Sequence, residues 1–133
     1  MQTFKIAVIP GDGIGSEVVP EGIRVLDATA KRFGLRFEWE HFPWSCEFYR
    51  ATGAMMPAGG LAQIRNHDAI FLGAVGFPGV PDHVSLWGLL IPIRRQFQQY
   101  ANVRPVRLMP GIASPLAGRA SGKIGRASCR ERV

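Results

Sequence analysis

The feature that most constrains this chain is the handover at its start. Phe4-Lys5-Ile6-Ala7-Val8-Ile9-Pro10 is an apolar run, rich in β-branched residues and closed by proline. It predicts a buried strand over 4–10. Gly11-Asp12-Gly13-Ile14-Gly15 then predicts a turn, and Ser16-Glu17 opens a helix. Val18, Val19, Ile23, Val25, Leu26 and Ala30 recur near helical spacing, and Gly34 is placed to stop that helix. Pro20 falls near the first turn, where a missing N–H costs little. A buried strand that feeds directly into an amphipathic helix needs further strands beside it.

The rest of the chain supplies them. Leu35 to Phe42 alternates in polarity, which predicts a strand with one solvated face. Cys46 to Ala51 predicts a short helix, and Pro57 to His67 another. Asp68 to Ala74 is almost continuously apolar, as expected of a strand covered on both faces. Gly73 to Trp87 is a loop punctuated by glycine and proline. A helix follows over 89–99, complicated by Pro92, and Tyr100 to Arg107 predicts a last strand, which Pro105 confines to an edge or end. The β-α-β-α-β order argues for an α/β fold, a parallel or mixed sheet with helices on both faces.

Composition excludes other classes. With 133 residues, 47% hydrophobic and 20% charged, the chain is neither a disordered tail nor a membrane protein. Its longest apolar runs, 68–75 and 86–91, are too short to span a bilayer. The N-terminus lacks a secretory pattern. Cys46 and Cys129 allow one disulfide at most, and their spacing suggests no metal site. The expectation is a cytoplasmic protein with free thiols and no membrane partner.

The glycine cluster stands where a helix N-terminus offers free N–H groups to an anion. A dinucleotide fingerprint needs G-x-G-x-x-G; here the spacing is G-x-G-x-G, and Asp12 would set a negative charge beside a pyrophosphate. There is therefore no Rossmann fingerprint. Two readings stay open: a tight turn that needs positive φ, or a cofactor contact of another kind. Arg94-Arg95 is followed by Arg104, ten positions after Arg94, and by Arg107. Two guanidinium forks can hold one small diacid; a solvated basic helix face is the alternative. His41, His67 and His83 form no metal-spacing pair, and Ser85 and Ser114 lack an activating base. Asp82-His83 has no partner in the sequence. A loop as long as 73–87 in a small domain favours a ligand contact there.

Three segments together resemble the start of the isocitrate and isopropylmalate dehydrogenase family, the metal-dependent β-decarboxylating dehydrogenases. They are Ile6 to Gly15, Asp68 to Gly76, and Arg94 through Tyr100-Ala101-Asn102-Val103-Arg104-Pro105. Their order and separation make the resemblance specific, and it covers residues 4 to about 119. Met55-Met56-Pro57 and Pro81 to Gly88 are similar to the branch that oxidises tartrate and D-malate. Ser85-Leu86-Trp87-Gly88 replaces the acidic loop usual in the isopropylmalate branch. The resemblance implies the N-terminal part of an isopropylmalate-dehydrogenase-like fold. It implies substrate-carboxylate contacts at Arg94 and Arg104, and nicotinamide contacts at Ile14, Ala74, Val75, Gly76 and Trp87. It further implies NAD and a divalent Mg or Mn as cofactors, a small dicarboxylic 2-hydroxy acid as substrate, and a homodimer. In such enzymes the metal polarises the 2-hydroxyl, hydride passes to the cofactor and the β-keto acid loses carbon dioxide. The metal ligands and the catalytic tyrosine and lysine of the family lie beyond the end of this chain. Residues 1–123 are thus read as an inactive N-terminal fragment of an NAD-dependent oxidoreductase. Alternatives are an isopropylmalate or isocitrate dehydrogenase fragment, or, from another class, a small basic nucleic-acid-binding α/β domain.

The net charge of +6 and a pI of about 10.2 raise that last possibility. The final ten residues change it. Ile124 to Val133 lacks strand alternation and a helical stripe, and the codons ATC GGA AGA GCG TCG TGT AGG GAA AGA GTG encode all ten in one frame of a common sequencing adapter. The segment 124–133 is read as a non-native, disordered tail. It carries Arg126, Arg130 and Arg132 against Glu131, a net +2, so the remainder carries +4. Two of the remaining arginines, Arg94 and Arg104, have an anionic ligand on the reading above, and no nucleic-acid partner is expected.

Overall fold

The computed structural model describes residues 2–107, 110–111 and 124–129. The chain divides into two units, Met1–Ile93 and Arg94–Val133. In the first, a three-stranded parallel sheet has the order β2-β1-β3, formed by β1 (Gln2–Gly11), β2 (Leu35–His41) and β3 (Ala69–Ala74). β1 runs along the middle, pairing Ile6 with both Trp39 and Ala69. Ile6, Ala7, Val8 and Ile9 are all buried, so both faces of this strand are covered. The unbroken apolar run that opened the sequence argument is the physical reason.

Helix α1 (Gly15–Phe33) packs on all three strands. Val19 and Ala30 are buried on its inner face, and Gly22 lies close against Phe71 of β3. The Trp39 indole N–H donates to Asp27 at 3.1 Å, tying α1 to β2. Gly34 ends the helix in the left-handed region (φ 67°), its N–H donating to the Ala30 carbonyl. Across the sheet edge the Lys5 N–H donates to the Asp68 carboxylate at 2.7 Å, which fixes the start of β3.

Ser45 caps the short helix α2 (Cys46–Thr52), its hydroxyl accepting from the Phe48 N–H at 3.0 Å. Helix α3 is confined to Gly60–Ile64, shorter than the sequence predicts, because Gly59 in the left-handed conformation (φ 82°) sets its start. The expectation that β3 is covered on both faces does not hold for this chain. None of its residues is buried, and Leu72 is exposed, since β3 is the outer strand of the sheet.

The stretch expected as a loop over 73–87 becomes helical early. Helix α4 (Asp82–Ser85) is followed by a π-helical turn, Leu86–Leu90, and then by α5 (Ile91–Gln96). The wide turn comes just before Pro92, which has no N–H for a regular ladder and whose ring crowds the preceding turn. The helix ends before Gln98, which takes a positive φ of 50°.

In the second unit β4 (Asn102–Arg107) pairs antiparallel with β5 (Ile124–Cys129), Arg104 opposite Ala127. Pro105 sits within this two-stranded ribbon, where an edge position tolerates it. The sequence reading assigns no structure to 124–133; here 124–129 form a strand. Backbone pairing with β4 supplies what the side-chain pattern lacks. Residues 130–133 and Ser114 lie outside the described residues.

Candidate functional site

The site is built from the turn after β1. Gly11 pairs with Ala74, and the Asp12 N–H donates to the Ala74 carbonyl at 2.6 Å. The turn is thereby fastened to the end of β3. Gly11 and Gly13 both take positive φ (75° and 51°). These are the backbone conformations that a tight turn needs, and glycine takes them without a steric cost. Gly15 and Gly73 both approach the Pro10 carbonyl so closely that neither has room for a Cβ.

The Asp12 side chain turns inward and is only 5% exposed. Its Oδ1 and Oδ2 accept from the Cys46 N–H at 2.9 and 3.0 Å, Oδ1 from the Glu47 N–H at 3.4 Å, and Oδ2 from the Gly76 N–H at 3.1 Å. Burial alone pushes its carboxyl pKa up, but the N–H donors of Cys46, Gly76 and Glu47 outweigh this and hold it below the ordinary value of 3.8. The charge also acts on the neighbouring thiol. Burial first, then the hydrogen bond and charge of Asp12, push Cys46 up to about 11. Cys46 is a buried, free thiol whose thiolate is disfavoured at neutral pH.

A cleft of about 190 Å³ opens beside this carboxylate, lined by Gly11, Asp12, Gly13, Ser16, Glu47, Arg50 and Phe77. The Arg50 guanidinium stands over the Phe77 ring, 5.6 Å from its centre. A larger cavity of about 560 Å³, lined among others by Tyr49, Met55, Met56, Pro57, Leu61 and Val84, is mostly apolar and gathers no cluster of charged groups. The chemistry therefore points to the smaller cleft and its rim.

Ile14, the N-cap of α1, is 63% exposed, an apolar side chain held in the open. Ala74 and Val75 are half-buried at the end of β3, and Gly76 is exposed with φ 149°. Asp12 brings Ile14, Ala74 and Gly76 into one neighbourhood. Trp87 stands 58% exposed on the π-helical turn. Arg94, half-buried on α5, and Arg104, exposed on β4, belong to the second unit. No group of three His, Cys, Asp or Glu among the described residues is arranged to hold a metal ion. His67 bonds Glu40 at 3.0 Å, His41 and His83 are exposed, and the Ser85 hydroxyl donates to the Asp82 carbonyl. Also among the described residues, no helix is long and apolar enough to cross a membrane.

The turn is legible in the sequence, but the Asp12 contacts and the Arg50–Phe77 pair are not. The available signal was Ser45-Cys46-Glu47, a helix start whose free N–H groups need an acceptor.

The described residues thus form a parallel α/β unit whose glycine turn is locked to the loop after its third strand and carries no Rossmann fingerprint. The chain belongs to the isocitrate/isopropylmalate dehydrogenase family, whose sequence model matches residues 5–131. It is 56% identical over 126 residues to D-malate dehydrogenase [decarboxylating] of Escherichia coli (strain K12), covering 93% of this chain and 35% of that protein. It is 53% identical over 131 residues to tartrate dehydrogenase/decarboxylase of Pseudomonas putida, covering 97% of this chain and 36% of that protein. The apo crystal structure of a β-decarboxylating dehydrogenase from Thermococcus kodakarensis superposes with a TM-score of 0.60 at 26% identity, covering 96% of this chain and 41% of that one. The chain thus spans about a third of the length of these two curated relatives. The match with the family reaches residue 131, into the ten residues read as adapter-derived.

Proposed function

We propose that this chain is the N-terminal portion of an NAD-dependent oxidoreductase that oxidises, and decarboxylates, a small 2-hydroxy diacid such as D-malate or tartrate. The observation that carries the reading is the locked turn: Ile14 stands exposed on the same turn whose Asp12 holds Gly76. An exposed aliphatic side chain beside a bare glycine backbone suits the flat face of a nicotinamide ring, which needs apolar contact and close approach. Ala74, Val75 and Trp87 complete that surface in the proposal, and Arg94 and Arg104 take the two carboxylates of the substrate.

The remaining parts are not supplied by the described residues. No metal-holding cluster occurs among them. The proposed Mg or Mn, which supplies polarisation of the substrate hydroxyl when bound, is held by residues outside this chain. A homodimer completes the site in the proposal. The 133-residue chain alone is inactive, because half of the shared site is missing.

The test compares the purified chain with the full-length product of its gene, with NAD and Mn present. Turnover of D-malate or tartrate is expected only from the full-length protein, and Arg94→Ala or Arg104→Ala in it should raise KM for the diacid at least tenfold. Turnover by the short chain, or unchanged KM in both variants, contradicts the reading. Salt-dependent binding of duplex DNA that survives removal of 124–133 would favour a nucleic-acid-binding domain instead.

A further inference from the structure

We infer that Asp12 is a positioning residue: its one carboxylate sets the distance between the Ile14 turn and the Gly76 loop, and so presents both to the cofactor. The inference rests on the proposed nicotinamide-facing role of those residues. Its structural half stands on geometry alone. Asp12 lies two residues before Ile14, on a turn already fastened to β3 through the Ala74 carbonyl. Its carboxylate reaches the Gly76 N–H at 3.1 Å, so the loop is held from the far side as well. The same two oxygens accept from Cys46 and Glu47, which anchors them against the start of α2.

Gly76 needs such a tether. Its φ of 149° lies in a region that side-chain-bearing residues rarely adopt, and the residue is exposed. A bare glycine backbone in solvent is otherwise the most mobile kind of segment. One charge-assisted bond from a buried carboxylate removes that freedom without covering the loop. The surface stays open to a ligand and rigid at the same time. Preorganisation of this kind raises affinity by sparing the ligand the cost of ordering the loop. Asp12 touches neither cofactor nor substrate in this account, and acts through Gly76.

The experiment uses the isotopically labelled full-length product of the gene and its Asp12→Asn variant. Amide hydrogen exchange is read at Gly76, with the β1–β3 ladder amides as internal reference. NAD is then titrated while the Ile14 methyl and Gly76 amide signals are followed. In the unsubstituted chain Gly76 should be protected; in Asp12→Asn its exchange should accelerate about tenfold or more while the ladder amides hold. The NAD-induced shifts at Ile14 and Gly76 should need about tenfold more NAD in the variant.

Unchanged Gly76 protection in Asp12→Asn overturns the inference. So does a loop that is released while NAD affinity stays the same. If the variant fails to fold, the unsubstituted chain still decides, because free exchange at Gly76 there is incompatible with the tether. Absence of any NAD response at Ile14 and Gly76 in the unsubstituted chain sinks the proposed cofactor role, while Gly76 exchange judges the tether separately.

Discussion

The carboxylate of Asp12 straddles the backbone N–H of Cys46, one oxygen at 2.9 Å and the other at 3.0 Å. A residue in a glycine turn thereby closes the N-terminus of a helix that starts 34 positions later. Most caps are supplied by the residue just before the helix; Ser45 does that as well, for the Phe48 N–H. The start of α2 is satisfied from two directions, and the second is what couples it to the site.

Acid should therefore unfold this chain through Asp12. Its folded pKa is depressed, so its contribution is complete above the unfolded value near 3.8 and is lost as pH falls through the lower folded value. Denaturant melts at pH 7 should show Asp12→Asn less stable by about 1–3 kcal/mol, the usual cost of a weakened buried acceptor. The gap should narrow on acidification below pH ~4. A gap that stays constant down to pH ~2 would assign the loss to packing instead.

Cys46 behaves in the opposite sense. Its thiol is raised from 9.0 to about 11 by burial and by Asp12. That contribution is fully present below pH 9.0 and is lost as pH rises through about 11. In a Cys129→Ser background, maleimide at pH 7 should label Cys46 only as fast as the chain unfolds. Labelling at the rate of a free peptide thiol would contradict the buried placement.

The glycines in and around the turn after β1 should separate into two groups. Gly15→Ala and Gly73→Ala each push a methyl group onto the Pro10 carbonyl, with Val19 Cγ2 a further 2.8 Å clash at Gly73. Backbone atoms cannot yield cheaply, so losses of about 3 kcal/mol or more are expected. Gly13→Ala meets nothing within 4 Å and pays only for φ 51°, about 1–2 kcal/mol. Thermal melts of the three variants check the order.

The origin of 124–133 has its own test. The genomic frame should depart from Ile124-Gly125-Arg126-Ala127-Ser128-Cys129, and a native gene that encodes it would remove the adapter reading. Removing the ten residues should lower any low-salt affinity for polyanions, since three arginines leave with them.

What was legible follows from which forces are local. β1, α1 and β2 announce themselves because burial and periodicity act within each segment, and Gly34 ends α1 as its position predicts. Pro81 and Gly79 hide the early helix at Asp82, because they read as loop residues although proline at the edge of a helix start is compatible with one. The tethering of Gly76 by Asp12 spans 64 positions. No local pattern reports such a bond; only the pairing of β1 with β3 creates it. The strand at Ile124–Cys129 is silent in the sequence for a related reason, since its ladder with β4 uses backbone groups and leaves no side-chain rhythm.

The sheet order carries a consequence for how such a chain is made. β1 is synthesised before β3, yet it is the central strand of the three, and its partner β3 lies 63 residues downstream at the Lys5–Asp68 contact. Until those residues emerge, one edge of a strand with four consecutive buried residues, Ile6 to Ile9, has nothing to pair with. Closing so long a loop between parallel strands is slow, and the waiting strand is open to wrong partners. The interval between synthesis of β1 and of β3 is therefore when a nascent chain of this family most depends on protection from aggregation.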